Sequence, residues 1–259
     1  MKKLLRKFRR IFFDSDPSFC DMHDDAHARQ AAAEPLAHIC RLLAESFGSR
    51  PLSILDAGCQ AGRFLIPLAA DGHQLTGIDA SSFALRRAQR HAKQRSLSVR
   101  LHAGRIAKLR HWVSPESLDA VVCTEVLYLC EDYQQLLRLL ADSVKPGGLL
   151  FISHRPAVYY VAAALRRGDP ERALAMLDQR EGASPEGAYH NWQTEEQLRA
   201  LYRGLGLSVR HCYPVDRLSW HCDLSGAPDR VRQLLQPFQA NGARLEIPAY
   251  LLVVSQKRR

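Results

Sequence analysis

The sequence has no apolar run long enough to cross a bilayer. Its hydrophobic share is 46% and its charged share 24%, and no segment approaches the roughly 18 consecutive apolar residues that a membrane helix needs. The seven cysteines include no C-x-x-C pair and no metal-ligand spacing, which argues against a disulfide framework or a zinc finger. We therefore expect a cytoplasmic protein with reduced thiols.

Positive charge has no excess outside the two ends of the chain. The net charge is +9, yet residues 1–13 carry six basic and no acidic side chains, and the last three residues are all basic. The remaining basic residues equal the 27 acidic residues in number. A neutral body is unlike that of a dedicated nucleic-acid binder, so nucleic acid is the less favoured partner.

The N-terminal stretch MKKLLRKFRRIFF, residues 1–13, places apolar side chains at helical spacing and cations mostly on the opposite face. This pattern predicts a basic amphipathic helix suited to peripheral contact with an anionic membrane or a protein. The alternative is a tail, or a helix docked on its own domain, because such a short helix is weak alone. A helical pattern over residues 22–47 predicts a cap helix, so residues 1–48 form an N-terminal segment.

From residue 49 to residue 259, strand and helix patterns alternate. Strands are predicted at 52–56, 74–79, 98–102, 118–123, 149–154, 207–215 and 250–254, and helices at 61–71, 82–95, 132–144, 157–181 and 195–204. This order predicts an α/β fold with a seven-stranded, mostly parallel Rossmann-like sheet and helices on both faces. Insertions at about 156–193 and 219–248 are predicted to form a substrate lid.

The first predicted strand runs into the turn ILDAGCQAGRF. In an open parallel sheet, ligands bind at the carboxyl ends of the strands. The dinucleotide pattern G-x-G-x-x-G is absent, because Gln60 and Arg63 stand where glycines are required after Gly58. The turn therefore does not predict a pyrophosphate site.

A second spacing, D-x-G-x-G-x-G, is met at Asp56, Gly58 and Gly62, with Gln60 at the middle glycine. Asp79 ends the second predicted strand, where a carboxylate can accept both hydroxyls of a ribose. Together these residues predict an adenosine-containing ligand.

Four segments occur in order over about residues 50–155: ILDAGCQAGRF, LTGIDAS, SLDAVVCTEVLYLCE and LADSVKPGGLLFISH. With them the chain resembles the class I S-adenosylmethionine-dependent methyltransferases, particularly the small-molecule group related to ubiquinone-biosynthesis enzymes. The resemblance implies S-adenosyl-L-methionine as cofactor, S-adenosyl-L-homocysteine as product, and a small aromatic or lipid-like acceptor. Residues 49–259 would form the methyltransferase domain.

The resemblance also implies a set of cofactor-binding residues. The first strand and its turn would contact the amino-acid end, the second strand the ribose and adenine, and the fourth strand the methionine side. The set is Asp56, Gly58, Cys59, Gln60, Gly62, Asp79, Ala80, Arg105, Ile106, Thr124 and Glu125.

Two positions depart from the family pattern. Gln60 replaces the middle glycine, so its side chain must point away from the cofactor or bond to it through the amide. Arg105 stands where the family usually has an acidic residue for the adenine amino group, and arginine offers no acceptor. Backbone groups near Arg105 and Ile106 must then recognise adenine, or the cofactor binds weakly. An inactive domain that acts as a partner in an assembly therefore stays an alternative.

Methyl transfer from a sulfonium requires alignment and exclusion of water, and a base only when the acceptor is protonated. Three side chains are candidate catalytic groups: His154 after the fifth strand, Tyr128 after the fourth, and His190 in a loop before a capped helix. Ordinary packing roles are the alternative for each. No metal ligands are predicted, since the acidic pairs typical of metal-dependent methyltransferases are not evident.

A local basic spot follows the fifth predicted strand. Arg155, Arg166 and Arg167 are suited to pair with an acidic acceptor or a lipid headgroup, with solvated helix charges as the alternative. Methylation of RNA or protein is a further alternative, which the basic ends favour and the neutral body disfavours.

Overall fold

The computed structural model describes residues 21–183, 189–241 and 243–258. The helix predicted over residues 1–13, with its membrane or protein contact, lies outside the described residues and stays a prediction. No helix in the described part of the chain combines the length and apolar character that a membrane crossing requires.

The described chain divides into two compact units. The first contains the residues up to Cys123 together with Arg138–Phe151, and the second contains Thr124–Leu137 and Ile152–Arg258. Up to the fifth strand, the elements in chain order are α1 (Ala26–Phe47), β1 (Ser53–Ala57), α2 (Leu65–Ala70), β2 (Gln74–Asp79), α3 (Ser82–Gln94), β3 (Val99–Ala103), β4 (Leu118–Cys123), α4 (Tyr133–Ser143) and β5 (Val144–His154).

The predicted cap helix is confirmed as α1. Its N-cap is Asp25, whose carboxylate accepts a hydrogen bond from the Ala28 backbone N–H at 2.7 Å. Gly48, with a φ of +69°, ends the helix, since a left-handed backbone suits glycine. The apolar face of α1 is buried at Ile39 and Leu43.

The strands of the first unit pair in parallel. β1 pairs with β2 from Ser53↔Gln74 to Ala57↔Ile78, and with β4 from Ile54↔Ala120 to Asp56↔Val122. All six residues of β4 are buried, as expected for a strand covered on both faces of a parallel sheet. This register brings the carboxyl ends of β1 and β2 side by side, which positions the glycine turn.

The remaining elements all belong to the second unit. They are α5 (Ala157–Arg166), α6 (Pro170–Asp178), β6 (Glu181–Ala183), β7 (Tyr189–Asn191), α7 (Glu195–Gly204), β8 (Leu207–His221), α8 (Asp229–Leu235) and β9 (Arg244–Lys257). The helical pattern over 157–181 is therefore two helices. They are separated at Gly168, which has a φ of +74°, and Asp169 caps the second.

The insertion predicted at about 156–193 contains a short hairpin. β6 and β7 pair antiparallel, with Gly182 opposite His190. Three residues on each side give too little alternation to predict a strand from sequence. The next helix, α7, has the predicted bounds of 195–204, and its N-cap Thr194 forms a capping box with Gln197.

The last two strands are longer than predicted. β8 and β9 pair antiparallel from Leu207↔Lys257 to His221↔Arg244. The connection between them therefore spans residues 222–243 rather than the predicted 219–248. At the added end of β8, exposed polar residues alternate with less exposed ones. The sequence there is less apolar than the segment that predicted the first part of the strand.

The seven strands follow the order β3-β2-β1-β4-β5-β9-β8. The five strand positions predicted before residue 155 all hold strands, although β5 begins five residues earlier than predicted. The described cysteines are free thiols. The α/β fold with a seven-stranded, mostly parallel sheet is confirmed.

Candidate active site

The glycine turn after β1 is tied to the end of β2. The backbone N–H groups of Gly58 and Cys59 both donate to the Ile78 carbonyl, at 2.7 and 3.2 Å. Gly58 and Gly62 have φ values of +84° and +97°, which side-chain-bearing residues rarely adopt. The turn thus leaves the first strand with its backbone close to the neighbouring strand.

Asp79 joins this turn to the start of α3. Its Oδ2 accepts from the Gln60 N–H at 2.9 Å, and its Oδ1 accepts from the Ser81 N–H at 2.8 Å. Burial raises the pKa of Asp79, and the two backbone N–H groups oppose that shift. Because each carboxylate oxygen can accept a second hydrogen bond, Asp79 retains acceptor capacity toward a ligand.

Asp56, at the end of β1, is a buried acid. Burial raises its pKa to about 7, although the positive charge of Arg63 opposes the shift. Among the described atoms, its Oδ2 has no hydrogen-bond partner. A buried polar oxygen without a partner is costly, so a cationic ligand group would be stabilised there.

Gln60 occupies a left-handed position, with a φ of +46°. Its side-chain Oε1 accepts from its neighbour Ala61, at 2.9 Å, and from the Met22 backbone N–H, at 3.2 Å. The amide that replaces the family glycine therefore ties the segment before α1 to the turn. Its role toward a cofactor stays a prediction.

Replacing Gln60 with glycine is expected to loosen the Met22 segment while the turn persists. Relief of left-handed strain, about 1 kcal/mol, offsets the loss of hydrogen bonds of similar size. The free energy of unfolding should change by less than about 1 kcal/mol, whereas hydrogen exchange at the Met22 amide should accelerate about tenfold. Gln74→Ala, at an exposed position, is the control. An unchanged exchange rate at the Met22 amide would contradict a stabilising hydrogen bond between Met22 and Gln60.

A second contact holds this N-terminal segment. His91 on α3 lies with its Nε2 3.0 Å from the Asp21 carboxylate and its Nδ1 3.8 Å from that of Asp24. His23, Asp24 and His91 bring possible ligand atoms within 4.8 Å of one another, the spacing of a metal site. Sequence inspection missed this group because about 70 positions separate its two parts.

The remaining predicted cofactor residues lie where strands end. Ala80 and Arg105 are exposed, and Ile106 is buried. In the second unit, Thr124 is buried, and Glu125 has a φ of +59° with its N–H donating to the Ser153 hydroxyl. Their contacts with a cofactor stay predictions.

His154 is fully buried at the end of β5. Its Nε2 is hydrogen-bonded to the Tyr202 hydroxyl on α7 at 2.8 Å, and the two rings meet edge to face. Burial lowers the pKa of His154 to about 4, with a smaller opposing effect from Gln193. An uncharged imidazole enclosed in this way is poorly placed to take a proton from an acceptor.

The pKa of His154 predicts a pH effect on stability. An imidazole whose pKa falls from its ordinary 6.5 to about 4 on folding favours the unfolded chain as pH drops from about 7 toward 4. Between pH 7 and pH 5, the wild type should lose about 2 kcal/mol more unfolding free energy than His154→Gln. Urea denaturation measures both, and the opposite slope from Asp56 cancels in the difference. Equal losses of unfolding free energy in the wild type and His154→Gln would contradict a lowered pKa of His154.

The structure brings together the other two catalytic candidates. The rings of Tyr128 and His190 lie nearly parallel, with centroids 6.2 Å apart. His190 Nδ1 is hydrogen-bonded to the Tyr160 hydroxyl at 2.8 Å. Asn191 donates to the Leu127 carbonyl at 2.9 Å, which anchors the β6–β7 hairpin beside Tyr128.

A cavity of about 410 Å³ lies in the second unit, beside these residues. It is bounded by α5, α6 and the β6–β7 hairpin, and its lining is aromatic and basic. The lining includes Arg155, Tyr159, Tyr160, Arg167, Arg172 and His190. Of these, sequence inspection named His190 as a catalytic candidate and singled out Arg155 and Arg167 as part of a basic spot.

Comparison with known proteins agrees with this fold. Residues 54–148 match a family model described as a methyltransferase domain. The ubiquinone biosynthesis O-methyltransferase of Rickettsia felis is 31% identical over 156 residues, which cover 59% of this chain and 60% of that protein. The protein of the same name from Albidiferax ferrireducens is 29% identical over 199 residues, covering 73% of this chain and 72% of that protein. The chain thus spans about 60% of the length of the Rickettsia felis relative.

Solved structures show the same fold at low identity. Magnesium protoporphyrin IX methyltransferase from Synechocystis, with bound SAH, has a TM-score of 0.60 at 16% identity, covering 99% of this chain and 94% of that chain. An S-adenosylmethionine-dependent methyltransferase from Mesorhizobium loti has a TM-score of 0.57 at 17% identity, covering 88% and 100%. Residues 54–148 thus match a methyltransferase domain, and the chain has the fold of solved S-adenosylmethionine-dependent methyltransferases.

Proposed function

We propose that this chain is an S-adenosylmethionine-dependent methyltransferase that acts on a small aromatic acceptor. The observation that carries the proposal is the buried Asp56 oxygen without a partner among the described atoms, at the start of the glycine turn. It suits the ammonium group at the amino-acid end of the cofactor, since a buried carboxylate is stabilised by a paired cation.

The other residues of the first unit fit the rest of the cofactor. Asp79 would accept the ribose hydroxyls through the acceptor sites that its two backbone donors leave open. Backbone groups near Arg105 and Ile106 would bond the adenine. The bound cofactor supplies an electrophilic methyl group on a sulfonium.

The second unit would hold the acceptor. Its cavity volume, about 410 Å³, lies within the range of small-molecule sites, about 300–1,000 Å³. The aromatic lining would orient a planar acceptor and exclude water. The α5, α6 and hairpin segments around it lie within residues 156–193, where an acceptor lid is predicted, and this position supports the proposal.

Among the catalytic candidates, His190 is the one we assign as a proton acceptor for a hydroxyl-bearing acceptor, because it lines the cavity. Tyr128 would position its neighbours, and His154 would support the fold. Reduction of activity on hydroxyl acceptors in His190→Gln, with the same cofactor affinity as the wild type, would support this assignment.

The function is tested by incubating the full chain with methyl-labelled S-adenosylmethionine and a panel of phenols and hydroxybenzoates. Labelled product is expected with at least one planar acceptor, and Asp56→Ala should lose it. A chain that binds the cofactor but methylates no member of the panel would favour the inactive-domain alternative. Transfer to RNA or protein instead would replace the small-molecule proposal.

A further inference from the structure

Arg155 is a half-buried cation at the edge of the cavity in the second unit. Its guanidinium carbon lies 4.7 Å from the ring centroid of Tyr128 and 4.3 Å from that of Tyr159. The Nη2 donates to the Tyr128 hydroxyl at 3.0 Å. The two rings therefore fix the plane of the guanidinium, which limits the directions in which it can donate.

This cation lacks an acidic counterion in the described part of the chain. No described carboxylate lies within ion-pair distance of Arg155, and its Nε is buried without a hydrogen-bond partner. An arginine stays protonated, and a desolvated charge without a paired anion is costly. An anionic ligand that accepts hydrogen bonds would therefore stabilise the Arg155 guanidinium.

The charged side chains around the cavity also favour an anionic ligand. Among the described residues, Arg155, Arg167 and Arg172 line the cavity, against one carboxylate, Asp169. Asp169 is engaged as the N-cap of α6, where it accepts from the Arg172 backbone N–H at 2.9 Å. Arg167 and Arg172 are exposed and Arg155 is half-buried, so the lining carries both exposed and partly desolvated positive charge.

The rest of the lining favours a flat ligand. Tyr160 lies 4.8 Å from the Trp192 ring and 5.6 Å from the His190 ring, measured between centroids. Trp192 is itself fixed by a hydrogen bond from its Nε1 to the Met176 carbonyl at 3.1 Å. Fixed aromatic faces bind planar ligands at a low cost in conformational entropy.

From these observations we infer that the acceptor is a planar aromatic compound carrying an anionic oxygen group, a carboxylate or a phosphate, which pairs with Arg155. Arg155 would be a specificity-determining residue, and Arg167 and Arg172 would attract the anion to the cavity. This inference deepens the proposed function, since it names the class of acceptor. Binding of the anion needs no methyl transfer, so it can be measured by itself.

The test is calorimetric titration of the full chain with three probes: 4-hydroxybenzoate, its neutral methyl ester, and phenyl phosphate. The wild type should bind at least one anionic probe about tenfold or more tightly than the ester, because a charge-assisted pair is lost in the ester. Whichever anion binds more tightly identifies the carboxylate or the phosphate as the group recognised.

Variants assign the effect to Arg155. Arg155→Met should weaken binding of the anionic probe at least tenfold and leave ester binding unchanged, and Arg155→Lys should recover part of the loss. Arg203→Met, which removes an exposed arginine elsewhere in the same unit, should bind as the wild type does. Ester binding and the thermal midpoint report whether each variant is folded.

Two results would overturn the inference: equal binding of anionic and neutral probes by the wild type, or unchanged anion binding by Arg155→Met. Methylation of neutral phenols alone would also overturn it while leaving the proposed function intact. Conversely, anion binding through Arg155 without any methyl transfer would preserve the anion site at Arg155 and contradict the proposed function.

Discussion

Alanine in place of Asp79 is expected to weaken binding of S-adenosylhomocysteine by at least about 100-fold. The carboxylate accepts backbone N–H groups from Gln60 and Ser81, and hydrogen bonds to a charged group are worth about 1.5–3 kcal/mol each. Loss of both disorganises the turn, and the ribose loses its acceptor at the same time. Each 1.4 kcal/mol corresponds to about tenfold in affinity.

Calorimetry on the purified variants measures this effect. Asp71→Ala is the matched control, because it removes an exposed carboxylate from the same unit at the end of α2. Its affinity should equal that of the wild type. If Asp79→Ala is folded and still binds with wild-type affinity, the assignment of Asp79 to the cofactor site is wrong.

Alanine in place of Gly62 is expected to lower the free energy of unfolding by about 3 kcal/mol. The φ of +97° at this position costs a side-chain-bearing residue about 1–2 kcal/mol. The added Cβ would also lie 2.8 Å from Cγ1 of Ile66, which is fully buried. Overpacking of a buried site costs about 1–3 kcal/mol more.

Urea denaturation of Gly62→Ala and Gly204→Ala measures both free energies of unfolding. Their difference separates the strain and overpacking at position 62 from the ordinary effect of replacing glycine with alanine. Gly204 ends α7, and a Cβ there would meet nothing within 4 Å. Gly204→Ala should therefore be as stable as the wild type or slightly more so. Equal stability of the two variants would show that the turn tolerates a side chain at position 62.

The fold was predictable because its first half is built from local patterns. Strands such as 74–79 and 118–123 have the same bounds in sequence and structure, since continuous apolar runs between amphipathic helices are typical of a buried parallel sheet. The turn residues Gly58 and Gly62 followed from spacing. Their positive φ values explain why the spacing matters.

The parts that sequence could not predict depend on contacts between distant residues. The tie from Gln60 to Met22 spans 38 positions, and the hydrogen bond from His154 to Tyr202 spans 48. The second bond changes the interpretation of His154, because adjacency to a strand end does not distinguish an open imidazole from an enclosed one. Likewise, the packing of Arg155 between two tyrosine rings depends on tertiary structure.

In the proposed function, the first unit holds the cofactor with its ammonium group on Asp56. Titration of S-adenosylhomocysteine into the full chain at pH 7, in two buffers of different ionisation enthalpy, tests it most directly. Because the pKa of Asp56 is about 7, pairing with a cation should give saturable one-to-one binding with release of about half a proton. Asp56→Asn should release none. Absence of saturable binding by the wild type would contradict the account.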